Sequence, residues 1–104
     1  GILMQLLPTE LEAQMPQLYT TENVPLEDKV VVAKFFIPDS NWVWYAVEGS
    51  PENDNFLFFG LVNGFEREWG YFSLNELTSF RGPLGLPVER DLYFTPQTIK
   101  QLKL

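Results

Sequence analysis

Three runs of β-branched and aromatic residues, separated by short turn-forming stretches, fill the middle of this 104-residue chain. The first is Lys29-Val-Val-Val-Ala-Lys-Phe-Phe-Ile37. Pro38-Asp-Ser-Asn41 ends it, and Trp42-Val-Trp-Tyr-Ala-Val-Glu48 follows. A polar turn then leads into Phe56-Leu-Phe-Phe-Gly-Leu-Val62. Such runs bounded by turn formers read as adjacent antiparallel strands. Side chains alternate between the faces of a strand, so Trp42, Trp44 and Ala46 share one face and Val43, Tyr45 and Val47 the other. In the third run Phe56, Phe58, Gly60 and Val62 oppose Leu57, Phe59 and Leu61. Neither face alternates with polar residues, as a sheet with one wet side would. Both faces are therefore expected to be covered, by helices, by the C-terminal loop or by a partner.

The flanking segments can be placed against that sheet. Thr9-Glu-Leu-Glu12 has the spacing of a capping box and opens a short helix from Thr9 to about Gln14. Pro16 ends it, and Leu11, Met15 and Leu18 pack on the sheet. Asn63-Gly64 is a turn signal. A fourth strand is expected over about 69–72, with Gly70 allowing a bulge or a close backbone approach. Ser73-Leu-Asn-Glu76 is a second capping box, opening a helix through about Phe80. Two prolines and two glycines keep 81–87 out of regular structure. Residues 88–94 read as a fifth strand. Thr95-Pro96 reads as a cap with proline at the first helical position, leading into a turn or helix towards Leu102. The expectation is an α+β fold: one domain over 1–104, with a twisted antiparallel sheet of four to five strands in a meander and two or three short helices.

Composition narrows the chemistry. There is no cysteine, which excludes disulfides and thiolate metal sites, and no histidine, which removes the usual general base and zinc ligand. No cofactor is implied. Fourteen carboxylates against seven bases give a net charge of −7. That surface repels phosphate backbones and anionic membranes, and it can steer a basic partner. The N-terminal segment Gly1-Ile-Leu-Met-Gln-Leu-Leu7 is apolar but lacks a basic region and a cleavage site, so it does not read as a signal peptide. The default compartment is the cytoplasm, and the default assembly a monomer or weak dimer.

In a simple meander, Glu27 and Asp28 enter at one end of the sheet, and Glu48, Glu52 and Asp54 return to that end. Five carboxylates would gather there against Lys29 alone, and they are the candidates for contact with a basic protein surface. Asp39, Glu66, Arg67 and Glu68 would lie at the opposite end. The acidic spacing matches no calcium loop. Arg81, Glu89, Arg90 and Asp91 flank the rigid loop. They could present a guanidinium fork to a carboxylate or phosphate, or pair with one another and tie loop carbonyls in place. Phe35, Trp44 and Phe58 could stack bases on the sheet, or fill the core. The serines have no histidine to activate them, and a carboxylate pair including Glu48 is the one hydrolytic arrangement conceivable.

The runs Met15-Pro-Gln-Leu-Tyr-Thr-Thr-Glu22, Lys34-Phe-Phe-Ile-Pro-Asp-Ser-Asn-Trp-Val-Trp-Tyr45, Phe58-Phe-Gly-Leu-Val62, Gly70-Tyr-Phe-Ser-Leu-Asn-Glu-Leu77 and Phe80-Arg-Gly-Pro-Leu-Gly-Leu-Pro-Val-Glu-Arg-Asp-Leu92 resemble a bacterial domain family of unknown function, numbered 2958 among such domains. The likeness spans roughly residues 7–96. It implies an accessory protein carried by plasmids, conjugative elements or phages, often near antirestriction and DNA-transfer genes. It implies no activity at any particular residue. The first expectation is a non-enzymatic acidic protein that binds a DNA-processing or host-defence protein. The alternatives are a single-strand nucleic-acid accessory using Trp44, Phe58 and Arg81, and a hydrolase or transferase using a carboxylate pair.

Overall fold

The computed structural model describes residues 5–104; the expectation for the first four residues of the N-terminal segment falls outside them. The elements in chain order are α1 (Thr9–Gln14), β1 (Val30–Val31), β2 (Ala33–Phe36), β3 (Val43–Glu52), β4 (Asn55–Asn63), β5 (Arg67–Ser73), α2 (Leu74–Ser79), β6 (Glu89–Arg90) and β7 (Gln97–Thr98). A single 3-10 turn, Leu26–Asp28, precedes β1. Strands β2 to β5 form the expected antiparallel meander, and β6 adds to the outer edge of β2, giving the order β5-β4-β3-β2-β6. The architecture is α+β in one unit.

Both faces of the sheet are covered. On the first face Phe35, Trp44, Phe56, Phe58 and Phe72 pack with Leu77 from α2 and with Met15, which follows α1. Phe58 is the hub, with ring centroids 5.5 Å from Phe35, 4.9 Å from Phe56 and 5.3 Å from Phe72. On the second face Val31, Tyr45, Val47, Leu61 and Ile99 form a smaller core. Trp44, Phe35 and Phe58 are thus interior rings, 2%, 0% and 0% exposed. A nucleotide base cannot reach them, so the stacking alternative loses the aromatic residues it relied on.

One irregularity decides what each face carries. The β3–β4 register runs Ala46↔Gly60 and then Glu48↔Phe59, so Val47 is an extra residue on β3. A one-residue slip exchanges the faces of everything beyond it. Strict alternation would put Glu48 beside Trp44 and Ala46 in the first core. The bulge moves it to the second face and returns Gly49 to the first, where a Cβ would lie 2.3 Å from the Phe56 ring. The bulge does not fall at Gly70, around which a Cβ would meet open space. The close backbone approach is at Gly60, where a Cβ would stand 1.9 Å from the Tyr45 carbonyl oxygen.

Four local expectations need correction. The first run is not one strand. It breaks at Val32, whose amide bonds Ala46 O at 2.9 Å, and β1 leaves to pair with β7 in a separate two-stranded sheet. Of the turn or helix expected after Thr95-Pro96, the turn forms, over 99–103, and the helix does not: Gln97 and Thr98 pair with Val31 and Val30, and the Ile99 amide bonds Lys29 O at 3.0 Å. Long-range pairing there outweighs a local cap with only a few residues behind it. Of 88–94, only Glu89 and Arg90 are strand. At α1, Thr9 is the first helical residue rather than the cap. Pro8 O accepts from Leu11 and Glu12, and no side chain caps the helix. The second capping box forms in full, with Glu76 N donating to Ser73 Oγ at 3.1 Å and Ser73 N to Glu76 Oε1 at 3.2 Å.

Candidate partner-binding site

The bulge lines up Glu48 on β3, Phe59 on β4 and Tyr71 on β5 as direct cross-strand neighbours. Residues 16–24 cross over this row. The Gly49 amide bonds Pro16 O at 2.8 Å, and the Leu18 amide bonds Ser50 Oγ at 2.9 Å. Glu48 Oε1 accepts from the Tyr19 amide at 2.8 Å, and Oε2 from the Thr21 amide at 3.0 Å. The Thr21 hydroxyl donates to Oε2 as well. Lys29 Nζ donates to Thr21 O at 2.5 Å and to Thr21 Oγ1 at 3.0 Å. Thr21 therefore bridges a buried ammonium and a buried carboxylate; Lys29 is 5% and Glu48 3% exposed.

Burial alone would raise the Glu48 pKa. The Thr21 hydroxyl, the Tyr19 and Thr21 amides and the Lys29 charge together outweigh it and hold the carboxyl below its ordinary 4.5. A general acid at neutral pH needs the opposite shift. Glu48 is an anchor for the crossing segment, occupied by three donors.

Above this anchor lies a concavity of about 330 Å³, lined by Tyr19, Glu22, Leu26, Phe59 and Tyr71, with Lys29 and Glu48 below. The Tyr19 and Tyr71 ring centroids are 6.5 Å apart and those of Phe59 and Tyr71 5.1 Å. Tyr19 has φ of +72°, the left-handed region that non-glycine residues seldom occupy. Its amide bond to Glu48 holds it there. A second cleft, of about 270 Å³, opens on the first face of the sheet between Trp42, Trp44, Phe80 and Arg81. Phe80 stacks on Trp44 at 5.7 Å, and exposed Phe65 meets Trp42 edge-on at 5.2 Å.

The five carboxylates expected at one end are dispersed. Glu27 and Asp28 sit exposed on the 3-10 turn, where Glu27 shares a cleft with Leu61, Arg67 and Trp69. Glu52 and Asp54 are exposed at the tip of the β3–β4 hairpin. Asn55 at that tip lies six residues along β4 from Leu61, roughly 20 Å at about 3.4 Å per residue. Glu48 is not at the surface at all, a correction that follows from the bulge. Lys29, expected to stand among the acids, points inward. Among the described residues no three carboxylates come together in a way that could hold a metal ion.

The loop cluster also separates. Arg81 Nη1 donates to the Thr78 and Phe80 carbonyls at 3.0 and 2.7 Å, closing the C-terminal end of α2. Glu89 and Arg90 pair with Phe36 and Phe35 on β2, and Arg90 Nε donates to Gln5 O at 3.5 Å. Asp91 lies 3.8 Å from Lys34 Nζ and accepts from the Tyr93 amide at 3.0 Å. Tying of carbonyls is the arrangement seen at Arg81, while the acid that organises the 81–87 loop is Asp39, which accepts from the Leu84 amide at 2.6 Å. The sequence reading missed Asp39 in that role, and it missed Tyr19, Thr21 and Tyr71. The available signal was Glu48 itself: a carboxylate ending an apolar strand needs donors if it is buried.

The family model described as "Protein of unknown function (DUF2958)" matches residues 6–101. No curated protein and no solved structure matches the chain.

Proposed function

We propose that this chain, which belongs to the DUF2958 family of proteins of unknown function, is a non-enzymatic acidic interaction protein that binds a basic surface of another protein. The observation that carries this reading is the distribution of charge. Ten of the 14 carboxylates are exposed, whereas Lys29 is buried, Lys34 and Arg90 are half-buried, and four bases face water. Such a surface attracts basic partners at long range and repels nucleic acid. The partner is a DNA-processing or host-defence protein, and the chain acts in the cytoplasm as an accessory of a plasmid, conjugative element or phage. It works as a monomer or weak dimer, without a cofactor. No helix among the described residues is long and apolar enough to cross a membrane.

The test is capture from a lysate of the native host on the immobilised protein, eluted in steps of salt and identified by mass spectrometry. Exposed charges are screened within ~10 Å at 0.1 M salt and ~3 Å at 1 M. The specific partner should be basic and should elute well below 1 M. A partner that is acidic, or whose retention ignores salt, would refute the reading.

A further inference from the structure

We propose that the concavity between Tyr19, Phe59 and Tyr71, with Glu22 on its rim, is a socket for a single lysine or arginine side chain of the partner protein. This inference rests on the basic-partner reading and gives it an address.

The rings supply the first argument. Tyr19 and Tyr71 are 58% and 52% exposed, two large aromatics left in water on the same side of the sheet. Their centroids, 6.5 Å apart and tilted by 56°, are too far apart for close stacking. One cation can lie within ~6 Å of both, the range over which a ring face attracts it. Phe59, tilted by 55° to Tyr71, supplies the third wall. A cavity of about 330 Å³ has room for a long side chain and part of its water.

The second argument is the sign of the field. The Tyr71 phenol is pushed above its ordinary value, first by its hydroxyl contact with Tyr19, then by partial desolvation, and further by the carboxylates of Glu48 and Glu22. Two carboxylates, Glu22 and Glu48, against the one ammonium of Lys29 leave the lining negative. That ammonium is directed to Thr21, which it meets through two hydrogen bonds. The Trp42–Phe80 cleft is the wrong choice for a cation, because Arg81 already lines it and no carboxylate does.

The third argument is preorganisation. The ring of Tyr19 hangs from a left-handed backbone that its own amide pins to Glu48. Binding then orders little that is not already fixed.

The experiment is an NMR titration of the whole chain at low salt with hexaarginine, and with hexacitrulline as a neutral peptide of the same shape. Hexaarginine should give saturable shifts in the ring signals of Tyr19, Phe59 and Tyr71, and hexacitrulline should not. Tyr71→Ala and Glu22→Gln, both at exposed positions, should each weaken binding about two- to fivefold. If hexaarginine binds but perturbs only the Glu52–Asp54 hairpin, and both variants bind as the parent does, the socket is wrong and the acidic-surface reading stands. If hexacitrulline binds equally well, the socket is not a cation site. If hexaarginine does not bind at all, both readings fail.

Discussion

Replacing Glu48 with glutamine keeps the shape of the side chain and removes its charge and half its acceptors. The carboxylate now satisfies the Tyr19 amide, the Thr21 amide and the Thr21 hydroxyl, and faces the charge of Lys29. A carboxamide has one oxygen and one NH2 group, so at least one backbone amide would meet a donor in place of an acceptor. A buried donor left without a partner costs about 1–3 kcal/mol, and each hydrogen bond to a charged group is worth about 1.5–3 kcal/mol. The hydroxyl of Thr21 can reverse its bond, which limits the loss. Residues 19–21 are partly exposed and can recruit water, which limits it further. Glu48→Gln should therefore destabilise the fold by about 2–4 kcal/mol. With a urea slope of about 1.5 kcal/mol/M, the unfolding midpoint drops by roughly 1.3–2.7 M. Hydrogen exchange at Tyr19 and Thr21 should accelerate ahead of the β4 amides, because the crossing segment opens before the sheet does.

The acid limb gives an independent reading of the same anchor. The folded carboxyl ionises below its ordinary 4.5, so its contribution is complete above that value and is lost as pH falls through the lower folded value. The parent should lose stability from this source below about pH 4.5, and Glu48→Gln should lack that part of the slope. A midpoint shift equivalent to less than about 0.5 kcal/mol, with unchanged protection at Tyr19 and Thr21, would refute the assignment of Glu48 as anchor.

Two further outcomes follow from the packing. Phe58→Ala removes the fully buried ring that touches Phe35, Phe56 and Phe72, and should cost about 3–5 kcal/mol by thermal or urea unfolding; a near-parental midpoint would show that the ring is not the hub. Gly60→Ala would place a methyl group 1.9 Å from the Tyr45 carbonyl, which is backbone and cannot rotate aside, so soluble yield and cooperative melting should both collapse; an ordinary melt would contradict the β3–β4 approach described above.

The amino-acid sequence by itself determined the elements that depend on near neighbours. Runs of β-branched and aromatic residues between turn formers specify β2 to β5. The pattern of two apolar faces specifies a sheet covered on both sides. Ser73 and Glu76, three residues apart, specify the start of α2. Absence of histidine and cysteine, and the excess of carboxylates, are also readable without a fold. The tertiary structure alone decided register and distant partners. Alternation assigned faces correctly through Val47, which packs beside Tyr45 in the second core, but the extra residue that the β3–β4 register carries there puts Glu48 on that same face. That single offset buries Glu48, and its donors come from 27 and 29 residues away. Val30 and Val31 likewise look like the start of β2, and only pairing with Gln97 and Thr98 draws them into a second sheet. Short-range periodicity is written in the order of the residues, whereas the choice among distant pairings is a competition between packed alternatives that no local stretch contains.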